Sequence, residues 1–330
     1  MRGARSCHND TPGGYAVNET VREVLRTYQT RKTRRQKDAF FAFLQSKYPS
    51  LRAEEGGLIR SRNLVLGDVS RARVVFAAHY DTCARLPFPN LIFPENLALS
   101  FLYSLLICIP FLLLGGVAGA AGIWLFHNPA GVFLGQAAAI FAMLYVFFLG
   151  VPNRNTANDN TSGVAVLLSL IDRIGVPDGA AFVFFDNEEN GLLGSALFRR
   201  MHRAELSRFA LVNFDCVSDG DEALFVLSPA MEKRWGDTLR EALAGAPAGK
   251  SVRTASSRRV FYPSDQAGFP VSCAAAAMKR CRLGLYLDRI HTARDVAFDQ
   301  VNIEYFTAAA ARFAGAVCGE IQEISHEDHR

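Results

Sequence analysis

Between Glu95 and Arg154 the chain contains no Asp, Glu, Lys or Arg, and this one interval limits the available folds more than any other feature. Within it, LALSFLYSLLICIPFLLLGGVAGAAGIWLF (97–126) and AGVFLGQAAAIFAMLYVFFLG (130–150) are each at least as long as the ~20 residues a helix needs to cross a bilayer's hydrocarbon core. His127-Asn128-Pro129 supplies a turn between them. Both segments are apolar all round, whereas a core helix of a globular domain is apolar along one stripe and an interfacial helix carries a charged face. Pro110 and the glycines at 115, 116, 119 and 122 would break a soluble helix, but transmembrane helices tolerate them, and small residues permit close packing. Residues 96–153 are therefore expected to form an inserted transmembrane hairpin, with the lipid bilayer as partner through residues 97–150. The alternative is a hydrophobic lid buried against the rest of the protein or a partner.

Two crossings return the chain to the side it left, so residues 1–95 and 154–330 are expected to share one compartment. Arg85 and Arg154 flank the hairpin, the amino-terminal region adds more basic residues and the turn between the helices is uncharged, which places that compartment in the cytoplasm. MRGARSCHNDTPGG lacks the apolar core of a signal peptide. Seven cysteines, an odd number without a C-x-x-C pair, suit a reducing environment better than a disulfide framework. The net charge of +4 is modest but concentrated. Residues 22–37, REVLRTYQTRKTRRQK, carry seven basic residues against one acid in what reads as a first helix over about 18–48. A solvated helix face or contact with anionic lipid headgroups suits this segment. Nucleic acid is not expected as a partner, because no aromatic stacking pattern or reading motif accompanies the charges.

The chemistry is concentrated on either side of the hairpin. His79 and Asp81 in VVFAAHYDT, Asp159 in NTANDNTSG, Glu188 and Glu189 in FVFFDNEENGLLGS, Asp215 in LVNFDC and His291 in DRIHTARD form an ordered set of metal-type ligands. Each piece alone is weak. Three of them, however, end a run of apolar, β-prone residues, as a buried strand does when it delivers a side chain at its carboxyl end. Open α/β sheets place their sites there. Imidazole nitrogen and carboxylate oxygen suit zinc, and two ions about 3.5–4 Å apart can hold a hydroxide and polarise a carbonyl.

In these motifs and their order, the chain resembles the M28 family of co-catalytic zinc peptidases across most of residues 60–300. The resemblance implies two Zn²⁺ ions, bridged by Asp159, with His79 and Asp215 completing one site and Glu189 and His291 the other. Cobalt or manganese suits the same donors. It also implies that Glu188 is the general base for the metal-bridging water, and that Asp81 orients His79 through its free ring nitrogen. Tyr262 is a candidate oxyanion donor or substrate contact, one position from the spacing the family tyrosine would have. The implied activity is removal of amino-terminal residues from a peptide substrate. A carboxypeptidase, a glutaminyl-cyclase-like acyl-transfer enzyme and a non-catalytic membrane scaffold are the alternatives. Asn158 stands where the family often has Asp, and Gln266 where a histidine commonly follows Ser-Asp. Cys216, beside Asp215, reads as a small buried residue.

The rest of the chain reads as alternating strands and helices, giving an α/β fold with a mixed central sheet sandwiched by helices, of the zinc-peptidase and phosphorylase/hydrolase-like kind. Because the site residues run from 79 to 291, residues 16–95 and 154–322 are expected to form one catalytic domain. The tails at 1–15 and 323–330 read as disordered.

Overall fold

The computed structural model describes residues 18–57, 59–247 and 250–319; the tails expected to be disordered lie outside them. The chain begins with α1 (Glu19–Thr27) and α2 (Arg34–Lys47), then β1 (Arg52–Gly56), β2 (Ser61–Leu66) and β3 (Val74–His79). The apolar helices α3 (Leu97–Phe126) and α4 (Ala130–Leu144) follow, and a π-helical turn extends the second to Leu149. After them come α5 (Gly163–Ile174), β4 (Ala180–Phe185), α6 (Leu193–Met201), β5 (Ala210–Phe214), β6 (Glu222–Leu227) and α7 (Pro229–Ala244). β7 (Ser251–Ser256), β8 (Ser272–Cys281), β9 (Gly284–Tyr286) and α8 (Gln300–Cys318) complete the order.

The helix expected over 18–48 is two helices. Asn18 caps α1 by accepting the Thr20 N–H, and Tyr28 ends it. Thr33 and Gln36 then form a reciprocal capping box that starts α2. The break lets the intervening backbone turn inward and bury Arg31 and, from α2, Lys37. The basic segment is therefore not one solvated face.

The sheet order is β1-β2-β4-β3-β5-β8-β6-β7, with β9 on β8. β3 is parallel to both β4 and β5, and β5 is parallel to β8. The chain leaves β3 for β4 on one side and later passes to β5 on the other, so the strand order reverses at β3 and opens a crevice at its carboxyl end. Alternation along β3 explains why both faces are covered. Val74, Phe76 and Ala78 join a large apolar cluster with Phe182, Phe214, Phe225 and Phe306, whereas Val75 and Ala77 join Val183, Phe185, Phe198 and Phe209. α5 and α8 cover the first face, and α6 packs on the second.

The two apolar helices end within a residue of their expected bounds. His127 adopts a left-handed conformation at the end of α3, and Pro129 precedes α4. The closest contact between the two helices runs along small residues: Gly115, Gly119 and Gly122 on α3 and Gly131, Gly135 and Ala139 on α4 are their buried positions. A Cβ at Gly135 would lie 2.2 Å from the Gly119 nitrogen, and one at Gly131 would lie 2.2 Å from the Gly122 carbonyl carbon. Leu112, Trp124, Phe133 and Phe141 point away from this seam, each at least 70% exposed. Among the described residues, no part of the α/β body covers them, and the hairpin is not buried against that body. These are two helices long and apolar enough to cross a membrane.

Candidate active site

His79 is the last residue of β3, Asp215 follows β5 directly, and the pair Glu188 and Glu189 lies just past β4. Three neighbouring parallel strands thus converge on the crevice at the strand-order reversal. Asp159 comes from the turn Ala157–Ser162 ahead of α5, all of it buried. His291 comes from the loop after β9, with a left-handed φ of 60°.

Asp159 lies at the centre. One of its oxygens is 3.3 Å from His79 Nε2 and the other is 3.0 Å from His291 Nε2. Asp215 Oδ1 is 3.6 Å from His79 Nε2, and Glu189 Oε2 is 3.1 Å from His291 Nε2. The structure brings together all five residues read as metal ligands. Glu188 lines the same cavity, with a carboxylate oxygen within 4.8 Å of donor atoms of His79 and Glu189.

The electrostatics of this cluster call for a cation. Burial lowers the affinity of His79 for a proton, yet Glu188, Asp159 and Asp215 outweigh it and hold the ring well above its ordinary range. Glu189 and Asp159 do the same for His291. Desolvation and then the neighbouring Glu189, Asp265 and Asp215 carboxylates push Glu188 well up. Glu189 Oε1 is buried without a hydrogen-bond partner. Four carboxylates and two imidazoles at these separations, with an orphaned carboxylate oxygen among them, fit divalent zinc, whose preferred donors are nitrogen and oxygen.

A network of buried polar contacts fixes the geometry. Arg62 N–H and Lys37 Nζ bind the Asp186 carboxylate, Lys37 also reaches Asn187 Oδ1, and a left-handed Asn187 (φ 54°) turns the chain into Glu188. Asp81 meets both His79 and the paired glutamates. Its backbone carbonyl is 3.1 Å from His79 Nδ1, while its carboxylate, 3.6 Å from that nitrogen, accepts the backbone N–H groups of Glu188 and Glu189. Carbonyl and carboxylate together face His79 Nδ1, and the side chain also pins the paired glutamates. Tyr262 lines the same cavity and donates its hydroxyl proton to the Asp215 carbonyl at 3.1 Å.

Both departures from the family pattern have structural roles. Asn158 Oδ1 accepts the N–H groups of Ser218 and Asp219, tying the Asp159 turn to the loop after β5. Gln266 donates to the Tyr262 carbonyl and accepts from Asn213. Cys216 is buried and lines the cavity, and the described cysteines are all free.

Four residues at the site escaped the sequence reading. Arg31, fully buried, donates to the carbonyls of Tyr80 and Tyr28 and to Thr161 Oγ1, and its charge faces Asp81 and Asp159. The Asp295 carboxylate accepts the N–H groups of Asn158 and Asp159, and burial followed by Asp159 pushes it up to about 8. Both Asp265 oxygens are buried without a partner. Cys83 Sγ lies within 4.8 Å of donor atoms of Glu189 and His291. Asp295, four residues past His291, and Asp265, inside PSDQAGF, stood in motifs already singled out; Arg31 was masked by the basic run around it.

Residues 147–314 match the model of peptidase family M28. Among solved structures, a glutaminyl cyclase from Porphyromonas gingivalis is 16% identical with a TM-score of 0.57, over 92% of this chain and 98% of that one. The LapA aminopeptidase of Legionella pneumophila is 14% identical with a TM-score of 0.53, over 98% and 78%. A glutaminyl cyclase from Macrostomum lignano is 12% identical with a TM-score of 0.55, over 90% and 88%. At these identities the likeness is one of fold. No curated protein matches the chain.

Proposed function

Because the chain belongs to peptidase family M28, we propose that it is a membrane-embedded di-zinc aminopeptidase whose catalytic body faces the cytoplasm. The observation that carries this reading is the division of the Asp159 carboxylate, one oxygen toward His79 and the other toward His291, with Glu188 on the wall of the same cavity. In this assignment His79, Asp159 and Asp215 would hold one ion, and Asp159, Glu189 and His291 would hold the other. Bound there, zinc would polarise the scissile carbonyl and make water acidic enough to attack near neutral pH.

The chain's own residues supply the proton transfers. Glu188 takes a proton from the attacking water as the water oxygen bonds to the carbonyl carbon. The same carboxyl then gives that proton to the leaving nitrogen as the C–N bond breaks. Asp81 supports this step by holding the Glu188 and Glu189 backbone N–H groups. The cavity of about 350 Å³ suits one residue and the start of the next, which favours release of a terminal residue.

Cytoplasmic placement rests on charge. Arg85 and Arg154 flank the hairpin, and Lys32 Nζ donates to the Phe148 carbonyl at the end of its second helix, 2.6 Å away. Lys32 is thus the residue of the basic segment best placed for an anionic headgroup.

The fold is shared with glutaminyl cyclases, so acyl transfer to the substrate's own amine is the second reading. Turnover of a mixed peptide library separates the two. Loss of single amino-terminal residues supports the aminopeptidase, whereas conversion of amino-terminal glutamine to a cyclic product, with loss of ammonia, replaces it. Glu188→Gln is expected to lower kcat by roughly 10²–10⁴-fold while zinc content stays at two per chain. Undiminished turnover in this variant would exclude the base role.

A further inference from the structure

The cavity at the site is not enclosed by the catalytic body alone. Ser100 and Ser104, from the first two turns of α3, line it together with His79, Asp159 and Glu188. These serines belong to a helix whose hydroxyl groups are confined to Ser100, Tyr103 and Ser104. All three are tied locally: Ser100 and Tyr103 donate to the carbonyls of Phe93 and Pro89, and Ser104 donates to the Ser100 carbonyl. From Leu105 to Phe126 no hydroxyl occurs, so the polarity of α3 ends where the cavity ends.

Helix register gives the depth of this point. Close approaches pair Gly122 with Gly131, Gly119 with Gly135 and Gly115 with Ala139. Continued at one residue per residue, that antiparallel register sets Ser104 level with Gly150, just past the end of the second apolar helix at Leu149. The second helix, 20 residues long, spans roughly 30 Å, which equals the hydrocarbon thickness of a bilayer. The first has 30 residues, and its surplus is the amino-terminal part that carries Ser100 and Ser104. In the membrane-spanning reading above, a cavity walled by these serines lies at the membrane interface. Around this level Phe101, Leu105, Leu149 and Val151 are exposed, and on the body side of the cavity Phe261 is 56% exposed.

From this placement we propose that the substrate is a peptide with a free amino terminus and an apolar, bilayer-held anchor on the leaving-group side, taken up from the plane of the membrane. The inference rests on the membrane-embedded aminopeptidase reading above and narrows its substrate class. Glu188 and Ser104 line one cavity, so the scissile bond and the bilayer edge are separated by no more than that cavity's width. An anchor directly after the residue beyond the scissile bond needs no long spacer. Water adds across the amide, releasing a free amino acid to the aqueous side and a shortened, still anchored peptide to the bilayer.

The test uses the full-length, zinc-loaded protein in phosphatidylcholine vesicles and two peptides with the same three amino-terminal residues. One ends in a double-chain dialkylamide and the other in a methylamide. With the anchored peptide in the same vesicles as the protein, its kcat/KM is expected to exceed that of the methylamide by about ten-fold or more, through its raised concentration at the membrane. With the anchored peptide in separate, protein-free vesicles, hydrolysis is expected to fall to background. Equal rates for the two peptides, or undiminished hydrolysis across separate vesicles, would overturn the inference and leave the aminopeptidase standing. Hydrolysis of neither peptide would remove the aminopeptidase reading, and this inference with it.

Discussion

Arg31 shows how much one buried side chain can carry. Its guanidinium donates to two carbonyls and one hydroxyl, and its charge lies beneath the Asp159 and Asp81 carboxylates. Replacing it by Met leaves these acceptors unpaired and the carboxylates without a cation, a change expected to cost about 3–5 kcal/mol. Thermal unfolding of Arg31→Met in detergent reads that loss directly. Asp265 offers a test with the opposite sign of charge. Burial pushes its carboxyl up to about 7, whereas an unfolded chain releases this proton near 3.9. The folded state binds the extra proton between these values, so this contribution to stability is fully present below about pH 4 and is lost as pH rises through about 7. Metal-free Asp265→Asn is expected to show a flatter decline in melting temperature over that window than the metal-free parent; identical slopes would contradict the assignment.

At the level of elements, the hairpin depends on backbone approach. Gly135 sits where a Cβ would be 2.2 Å from the Gly119 nitrogen and 2.4 Å from the Ala118 carbonyl carbon, so no rotamer change relieves the overlap. Gly135→Val is expected to splay α3 from α4 at a cost of about 1–3 kcal/mol. Crosslinking between cysteines placed at Gly115 and Ala139 should fall in this variant, and unchanged crosslinking would show that the helices meet elsewhere. The short turns that deliver the ligands behave differently from the helices. Asn187, Cys216 and His291 all take left-handed φ values, a conformation that non-glycine residues hold only when their surroundings impose it. The buried contacts of Asn158, Asn160, Asp295 and Lys37 impose it here.

Over the whole molecule, the hairpin and the catalytic body form a continuous structure. Phe88, in the loop before α3, packs on Phe147 with ring centroids 5.7 Å apart, and Phe147 packs on Phe111. Together with the Lys32 contact to Phe148, this fixes the base of the hairpin against the rim of the site. Full-length protein is expected to remain in the membrane pellet after alkaline carbonate extraction. Recovery in the soluble fraction would exclude spanning and leave the exposed apolar faces to a protein partner.

Local chemistry was legible in the chain itself. Apolar runs that stop at His79, Asp215 and the acids after Phe185 mark buried parallel strands, because such strands are covered on both faces and emit side chains only at their ends. The uncharged interval marks two membrane-length helices for an equally local reason, since composition decides which solvent a helix can face. Groups paired across long separations were not legible. Nothing near Arg31 in the chain announces that it leaves a basic run to meet Thr161, and nothing near Ser104 announces that it walls a cavity completed by Glu188 and His291. Those relations arise only when the strand order reverses at β3 and the hairpin is set down beside the crevice, because burial and charge pairing depend on distance in space.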